Sequence, residues 1–465
     1  MKADKIFFSH FEFLTLETLK IDQQIGKHAT AVCTGCIRDT DVEEYKRKLM
    51  EQKWVTITTE DNEGSKKILM TGVIAGFSLE SKAHTTNLTL ILKSGTYLMD
   101  TSLHFRSFQT SGISYLEVLN TINQTYGESG VKETGGLSSA TIDFLLQYKE
   151  TDWEFILRIA SRFGLNVTPA IEKEGAFYYI GNANITTYQL PNSVSIGISK
   201  HMDQYMVKKS NGIGSPMEHD YLEYHISSRE IYHIWDKLIL NNEGGYIYKI
   251  QSEYLNGELN HSYFFRPESG LETMERLNDK IQGCSFQAIV KEVKRDMVKV
   301  QLIDDENSNQ SINKWFPYST GYSSPDGSGW YCMPEPEDHV RLQIPGPIEE
   351  QGYVISSIHL KTNNGRVNPD HKSFKTKYGK ELLFTPDSIE MTNNKGMSIK
   401  IKDGEGIRIE SNKNISITSK GNMTISSEDS SLTIAGTDRV NIKQGGAGLY
   451  IDKDISFKGG KFRIQ

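Results

Sequence analysis

The most regular pattern of apolar and polar positions lies at the C-terminal end of the chain. From Gly379 onward, apolar residues come in i, i+2 pairs: Leu382/Phe384, Ile389/Met391, Ile399/Ile401, Ile407/Ile409, Ile415/Ile417, Met423/Ile425, Leu432/Ile434, Val440/Ile442, Leu449/Ile451, Ile455/Phe457 and Phe462/Ile464. Successive pairs mostly stand 7–9 residues apart, with 8 the commonest spacing. Gly, Asn, Asp, Ser and Lys fill the intervals, and most of these form turns. Period-two pairs at so short a repeat predict stacked strands, a solenoid. Each unit sends only about two side chains inward, too few for one chain to enclose a core alone. Three chains winding together supply three walls per layer and leave no lateral sheet edge exposed. The pattern therefore predicts an intertwined triple-stranded β-helix over 379–465, in an obligate homotrimer, with these pairs as its core. At about 4.8 Å per strand it would stack to roughly 50 Å. The competing arrangement is a solenoid closed by a single chain. Disorder would not keep isoleucine pairs in register over such a length.

Residues 1–278 alternate strands with short helices, an α+β pattern. Thr151-Asp152-Trp153-Glu154 reads as a capping box ahead of a helical stripe of Trp153, Ile156, Leu157, Ala160 and Phe163, with Gly164 placed as a C-cap. Ser114-Tyr115-Leu116-Glu117 repeats the device before Val118, Leu119 and Ile122, and Thr40-Asp41-Val42-Glu43 opens a more polar helix. Leu69–Leu79 and Thr86–Leu92 read as strands. Residues 283–360 look all-β: Phe286–Val290 and Met297–Ile303 flank a short polar turn, and His339–Ile344 and Gly352–Ile358 follow around Pro345-Gly346-Pro347. So many short strands in so few residues suit a small barrel of oligonucleotide/oligosaccharide-binding (OB) type. Residues 361–378 read as a linker.

The 465 residues carry a formal charge of −7 and acids outnumber bases in the barrel segment, which opposes nucleic acid as a partner. Trp315, Phe316, Tyr318, Tyr322, Trp330 and Tyr331 are candidate ligand-stacking rings there, though packing or an interface accounts for them more simply. No transmembrane run and no secretory leader are legible, so synthesis in the cytoplasm is expected. Cys33 and Cys36 form a CxxC, but Cys284 and Cys332 stand 48 apart and complete no zinc site, so the pair reads as structural thiols. Nucleophile-elbow, HExxH and phosphate-loop motifs are absent, and eighteen linker residues cannot fold into a hydrolase. No enzyme, cofactor or metal is expected. Histidines end at His371 and cysteines at Cys332, leaving the repeat without soft or imidazole ligands. His225 and His233 read as ordinary residues. Asp304-Asp305-Glu306 and Glu349-Glu350 read as solvated turns. The chain stops at Gln465, so no fused C-terminal toxin is expected.

Gln147-Tyr148-Lys149-Glu150-Thr151-Asp152-Trp153-Glu154-Phe155-Ile156, continuing to Arg158 and Phe163-Gly164, is similar to the Y-x-E-T/S-D-x-x-F-x-x-R…G segment of late control protein D type hubs. Leu98-Met99-Asp100 and Arg106-Ser107-Phe108-Gln109 also match. Trp315, Gly329-Trp330, Pro334 to Val340, and Glu350-Gln351-Gly352 leading into Tyr353-Val354-Ile355 follow the order of the same family's central domain. Glu337 stands where that family usually has glycine, and His339 where it usually has an acid. In its three-part order the chain resembles VgrG-like spike proteins of contractile injection systems. The resemblance implies a trimeric hub capping the inner tube at the baseplate and a needle that punctures the target envelope, touching its membrane transiently. It also implies a PAAR-like tip protein at the needle end and effector cargo. Assembly in the cytoplasm and outward delivery from a tail-like particle or secretion apparatus follow from it. The alternative is a carbohydrate-binding or depolymerising trimeric tailspike.

Overall fold

In the computed structural model, residues 4–60, 64–82, 85–182, 185–210, 216–240, 243–360 and 367–458 are described. The chain divides into two compact units, Met1–Leu360 and Lys361–Gln465. Among the described residues no helix is long and apolar enough to cross a membrane.

The first unit is mostly β with a few short helices. Its largest element is a 12-stranded sheet that includes Thr15–Gln24, Thr30–Ile37, Lys66–Lys82, Thr85–Lys93, Glu243–Leu255 and Glu258–Arg266. Strand alternation sets its inner face: Thr86, Leu88, Leu90 and Leu92 are buried on one strand, and Ala31, Cys33 and Ile37 on its neighbour. Burial pushes the Cys33 thiol up to about 12, which keeps it protonated and unreactive. Cys36 is half-buried on the opposite face of the strand, its Sγ 3.0 Å from Asn87 Oδ1.

Three helices begin at the places the sequence marks. α1 is Val42–Glu51, α2 Tyr115–Asn123 and α3 Asp152–Ser161. Both capping boxes are made: Glu117 N–H donates to Ser114 Oγ, and Glu154 N–H donates to Thr151 Oγ1. Gly164 closes α3 in the left-handed region at φ +68°. At α1 the cap differs from expectation. A 3₁₀ turn over Asp39–Asp41 runs straight into the helix, so Asp41 is already helical and Thr40 Oγ1 bonds the Asp41 carboxylate instead of capping.

Residues 285–358 form a five-stranded sheet in the order Phe316–Pro317, Met297–Leu302, Ser285–Lys294, His339–Gln343, Tyr353–Ile358. A parallel bridge between Tyr318 and Val354 joins the two edges, so the sheet closes on itself around Ala288, Val290, Val300, Phe316, Leu342 and Val354. Glu337 adopts φ +72°, and its N–H donates to the carbonyl of Val290 at 2.8 Å. That conformation favours glycine, and the 3.0 Å ion pair of Glu337 with Lys291 does little to offset it at the surface.

The second unit begins its first sheet earlier than the repeat, at Lys372–Lys375, inside the stretch read as a linker. Glu381–Phe384, Ser388–Thr392, Met397–Lys402 and Gly406–Ser411 follow as an antiparallel meander. A three-stranded meander covers Val440–Gln444, Ala447–Ile451 and Ile455–Lys458.

Glu337→Gly is expected to relieve the left-handed strain and stabilise the barrel by up to about 1 kcal/mol, less the chain entropy glycine adds. A calorimetric transition that moves down instead would show that the Lys291 pair outweighs the backbone term.

Candidate functional site

The pairs read from the sequence meet as cross-strand neighbours. Leu382 faces Met391, Phe384 faces Ile389, Ile389 faces Ile401, and Met391 faces Ile399. Ile399 in turn faces Ile409, and Ile401 faces Ile407. All of these therefore share one face of the sheet. The other face is polar, with Glu390 and Lys400 paired at 2.6 Å. Among the described pair members only Leu382, Val440 and Leu449 are even half-buried, while Ile407 and Ile417 are each 72% exposed. Isoleucines at that exposure, repeated along one face, form an apolar surface of a kind monomers rarely leave uncovered. A cleft of about 500 Å³ runs over it, lined by Phe374, Leu382, Met391, Ile399, Ile409 and Ile415.

The strands here pair within the chain, whereas the repeat suggested pairing between chains. The short turns explain this: left-handed Asn394 and Gly396, and then Gly404, return each strand beside its predecessor. Ile415, Ile417, Met423, Ile425, Leu432 and Ile434 lie in 412–439, where no strand is formed among the described residues. Ile442 faces Leu449, Val440 faces Ile451, Ile451 faces Ile455 and Leu449 faces Phe457 in the last sheet. Phe462 and Ile464 lie outside the described residues.

A second constellation lies where α3 meets the closed sheet, and it is built from the hub-like motif. Arg158 is 2% exposed. Its Nε and Nη2 donate to both oxygens of Glu150 at 2.8 and 2.9 Å, Nη2 also to the Leu146 carbonyl, and Nη1 to Glu349 at 2.9 Å. Arg162 reaches Glu349 and Glu350, each at 2.9 Å. Burial opposes the charge on Arg158, but the carboxylates of Glu349 and Glu150 outweigh it and hold the guanidinium protonated. Beside it, Asp152 accepts from Arg106 at 2.7 Å, Gln147 at 2.9 Å and the Tyr126 hydroxyl at 2.7 Å. Thr151 Oγ1 donates to Asp100 at 2.6 Å, which ties in the Leu98-Met99-Asp100 stretch.

Of the acids read as solvated turns, Asp305, Glu306, Glu349 and Glu350 are partners of this motif, and for these the structure corrects that reading, while Asp304 is exposed. Glu349 is fully buried between Arg158 and Arg162. Asp305 is buried and accepts from the Ser107 N–H and hydroxyl, while Glu306 accepts from Arg106, His104 and the Phe105 N–H. Burial would raise Glu306, but the Phe105 N–H, His104 and Arg106 pull its carboxyl below the ordinary value. The signal available in the sequence was an unmatched arginine set: Arg106, Arg158 and Arg162 within largely apolar segments need buried anions. His225 stacks on Phe264 at 4.7 Å, and His233 lies 3.6 Å from Asp236, whose hydrogen bond is the main cause holding the imidazole above its usual value. Among the described residues no three His, Cys, Asp or Glu stand together as a metal site.

Residues 39–179, which contain α1 to α3 and the motif, match the Phage_GPD family, the phage tail baseplate hub. An E. coli protein, c3393, is described as a type VI secretion component similar in structure to the T4 tail proteins gp27 and gp5. It superposes with a TM-score of 0.54 at 12% identity, over 76% of this chain and 100% of its own. A chain of the Francisella PdpA–VgrG complex superposes with a TM-score of 0.55 at 10% identity, over 85% of this chain and 83% of its own. No curated protein matches the sequence. The fold is thus VgrG-like, as the motif resemblance implied.

Arg158→Ala would leave Glu150 buried without its cation and Glu349 with Arg162 alone, a loss of about 3–5 kcal/mol. It is expected to split one calorimetric transition of the first unit into two, as α3 and the closed sheet lose their shared anchor. A single unshifted transition would show that the network is dispensable.

Proposed function

We propose that this chain is the central spike of a contractile injection machine, working as a homotrimer. The observation that carries the proposal is the one-sided apolar face of the second unit, aligned in register from Leu382 to Ile409 and open to solvent. Three such faces brought together bury it about an axis, each large side chain adding about 1.5–3 kcal/mol. Residues 412–439, with no strand in the single chain, would gain theirs from neighbouring copies. The assembled part is then a triple-stranded β-helix needle.

The hub family match and the VgrG-like fold support the remaining roles of the proposal. The first unit would sit at the end of the inner tube in the baseplate, and its five-stranded sheet would act as an OB-type connector. Sheath contraction would push hub and needle forward through the target envelope, with a PAAR-like tip protein and effectors carried at the needle. The load would then pass through the Arg158–Glu349 junction, whose buried charge-assisted bonds would resist shear. Forced unfolding is governed by the unfolding rate, which cross-chain strands would slow. The work is mechanical, without a chemical step.

Light scattering on a sizing column should give a mass near three times 52.6 kDa. Replacing Ile409 and Ile417 together with Asp would bury like charges near the axis, and that variant is expected to run as a monomer. A wild-type-like trimer of the variant, or a folded monomer of the natural chain, would overturn the needle assignment.

A further inference from the structure

The closed sheet of the first unit carries a feature that its packing does not use. Between Phe316–Pro317 and His339–Gln343 the chain makes a small preformed hairpin. Ser323 bridges Gly329, Ser324 N–H donates to the Ser328 carbonyl at 2.9 Å, and Trp330 N–H donates to the Tyr322 carbonyl at 2.8 Å. Asp326 holds the tip by accepting from the Ser328 N–H and hydroxyl. Gly329 is required, since its φ is +141° and a Cβ there would come within 2.4 Å of the Tyr322 oxygen. Tyr331 is tied down through its hydroxyl, which donates to the Arg295 carbonyl at 3.0 Å.

This fixed scaffold presents aromatic rings to solvent: Tyr322 is 54% exposed, Trp330 69% and Tyr331 72%. Rigid, exposed aromatic side chains lose little entropy on contact and are the residue types that anchor interfaces. Lys291 pairs with Glu337 and Arg295 adjoins Tyr331, but along the hairpin itself the charge is acidic. From Trp315 to Asp338 the sequence holds four carboxylates and no Lys, Arg or His. The same barrel already uses the matching contact internally, with Lys299 Nζ 4.7 Å from the centroid of the Trp315 ring. We infer that the Tyr322–Tyr331 hairpin docks a Lys/Arg-bearing segment of a partner protein, through cation–π contacts on Trp330 and Tyr331 supported by the surrounding acids. The inference stands apart from the trimeric needle, because it uses residues of the first unit alone.

The test titrates the full chain with an octa-arginine peptide and follows tryptophan fluorescence. Octaglutamate and maltoheptaose serve as controls. Octa-arginine should bind, and Trp330→Ala with Tyr331→Ala should weaken it about tenfold at unchanged net charge. Trp330→Phe, which keeps a ring, should retain most of the binding and confirm that the fold is intact. Equal binding by the double Ala variant would overturn the inference, since attraction to the overall charge would then suffice. Tighter binding of maltoheptaose would make the hairpin a sugar platform. A lower mass for the double Ala variant on the sizing column would assign the rings to a second copy of the chain. Either result replaces the cationic partner.

Discussion

Arg158 is the residue on which the first unit is organised. A guanidinium taken out of water is tolerable only with its donors satisfied and its charge met, and here Glu150, Glu349 and the Leu146 carbonyl do both. Its partners come from two places in the chain: the strand Leu145–Glu150 just before α3, and the turn Glu349–Gln351 before Tyr353–Ile358. Satisfying one buried cation therefore fixes the register between a helix and a sheet some 190 residues away, as the Arg158–Glu349 separation of 191 records. Arg106 repeats the arrangement at the start of α3, bound to Asp152 and Glu306. The hub-like motif is thus a wiring pattern for buried charge. Burying those charges accounts for the arginines and acids that it carries.

The second unit obeys the opposite rule. Among its described residues almost no side chain is buried, and its order comes from backbone ladders and tight turns. A sheet with one polar and one bare apolar face is a half-finished layer, which becomes stable when a second layer covers it. Copies of the same chain offer the same surface in the same register, so the proposed self-association would meet that need without a new sequence. The contrast between the units is physical: one is closed by internal ion pairs, the other is left open along a face.

Several elements were legible because their signal is local. A serine or threonine three residues ahead of a glutamate makes the capping box at α2 and α3, and isoleucines at i, i+2 along a strand share one face. At α1 the same reasoning placed the helix but missed the cap, because a preceding 3₁₀ turn left Asp41 already helical. Glu337 was legible as an oddity through the residue usually found there, and its φ of +72° supplies the reason.

By itself the sequence determined the octad periodicity, the helix starts, the strands of the small barrel and the hub-like motif. Each depends on residues within a few positions of one another, where geometry leaves little choice. Only the tertiary structure decided that Glu349 and Asp305 are buried anchors instead of solvated turns, and that successive strands from Glu381 to Ser411 pair within the chain. Whether a carboxylate lies in water or against an arginine depends on what the fold brings to it from far along the chain, and no local pattern records that distance.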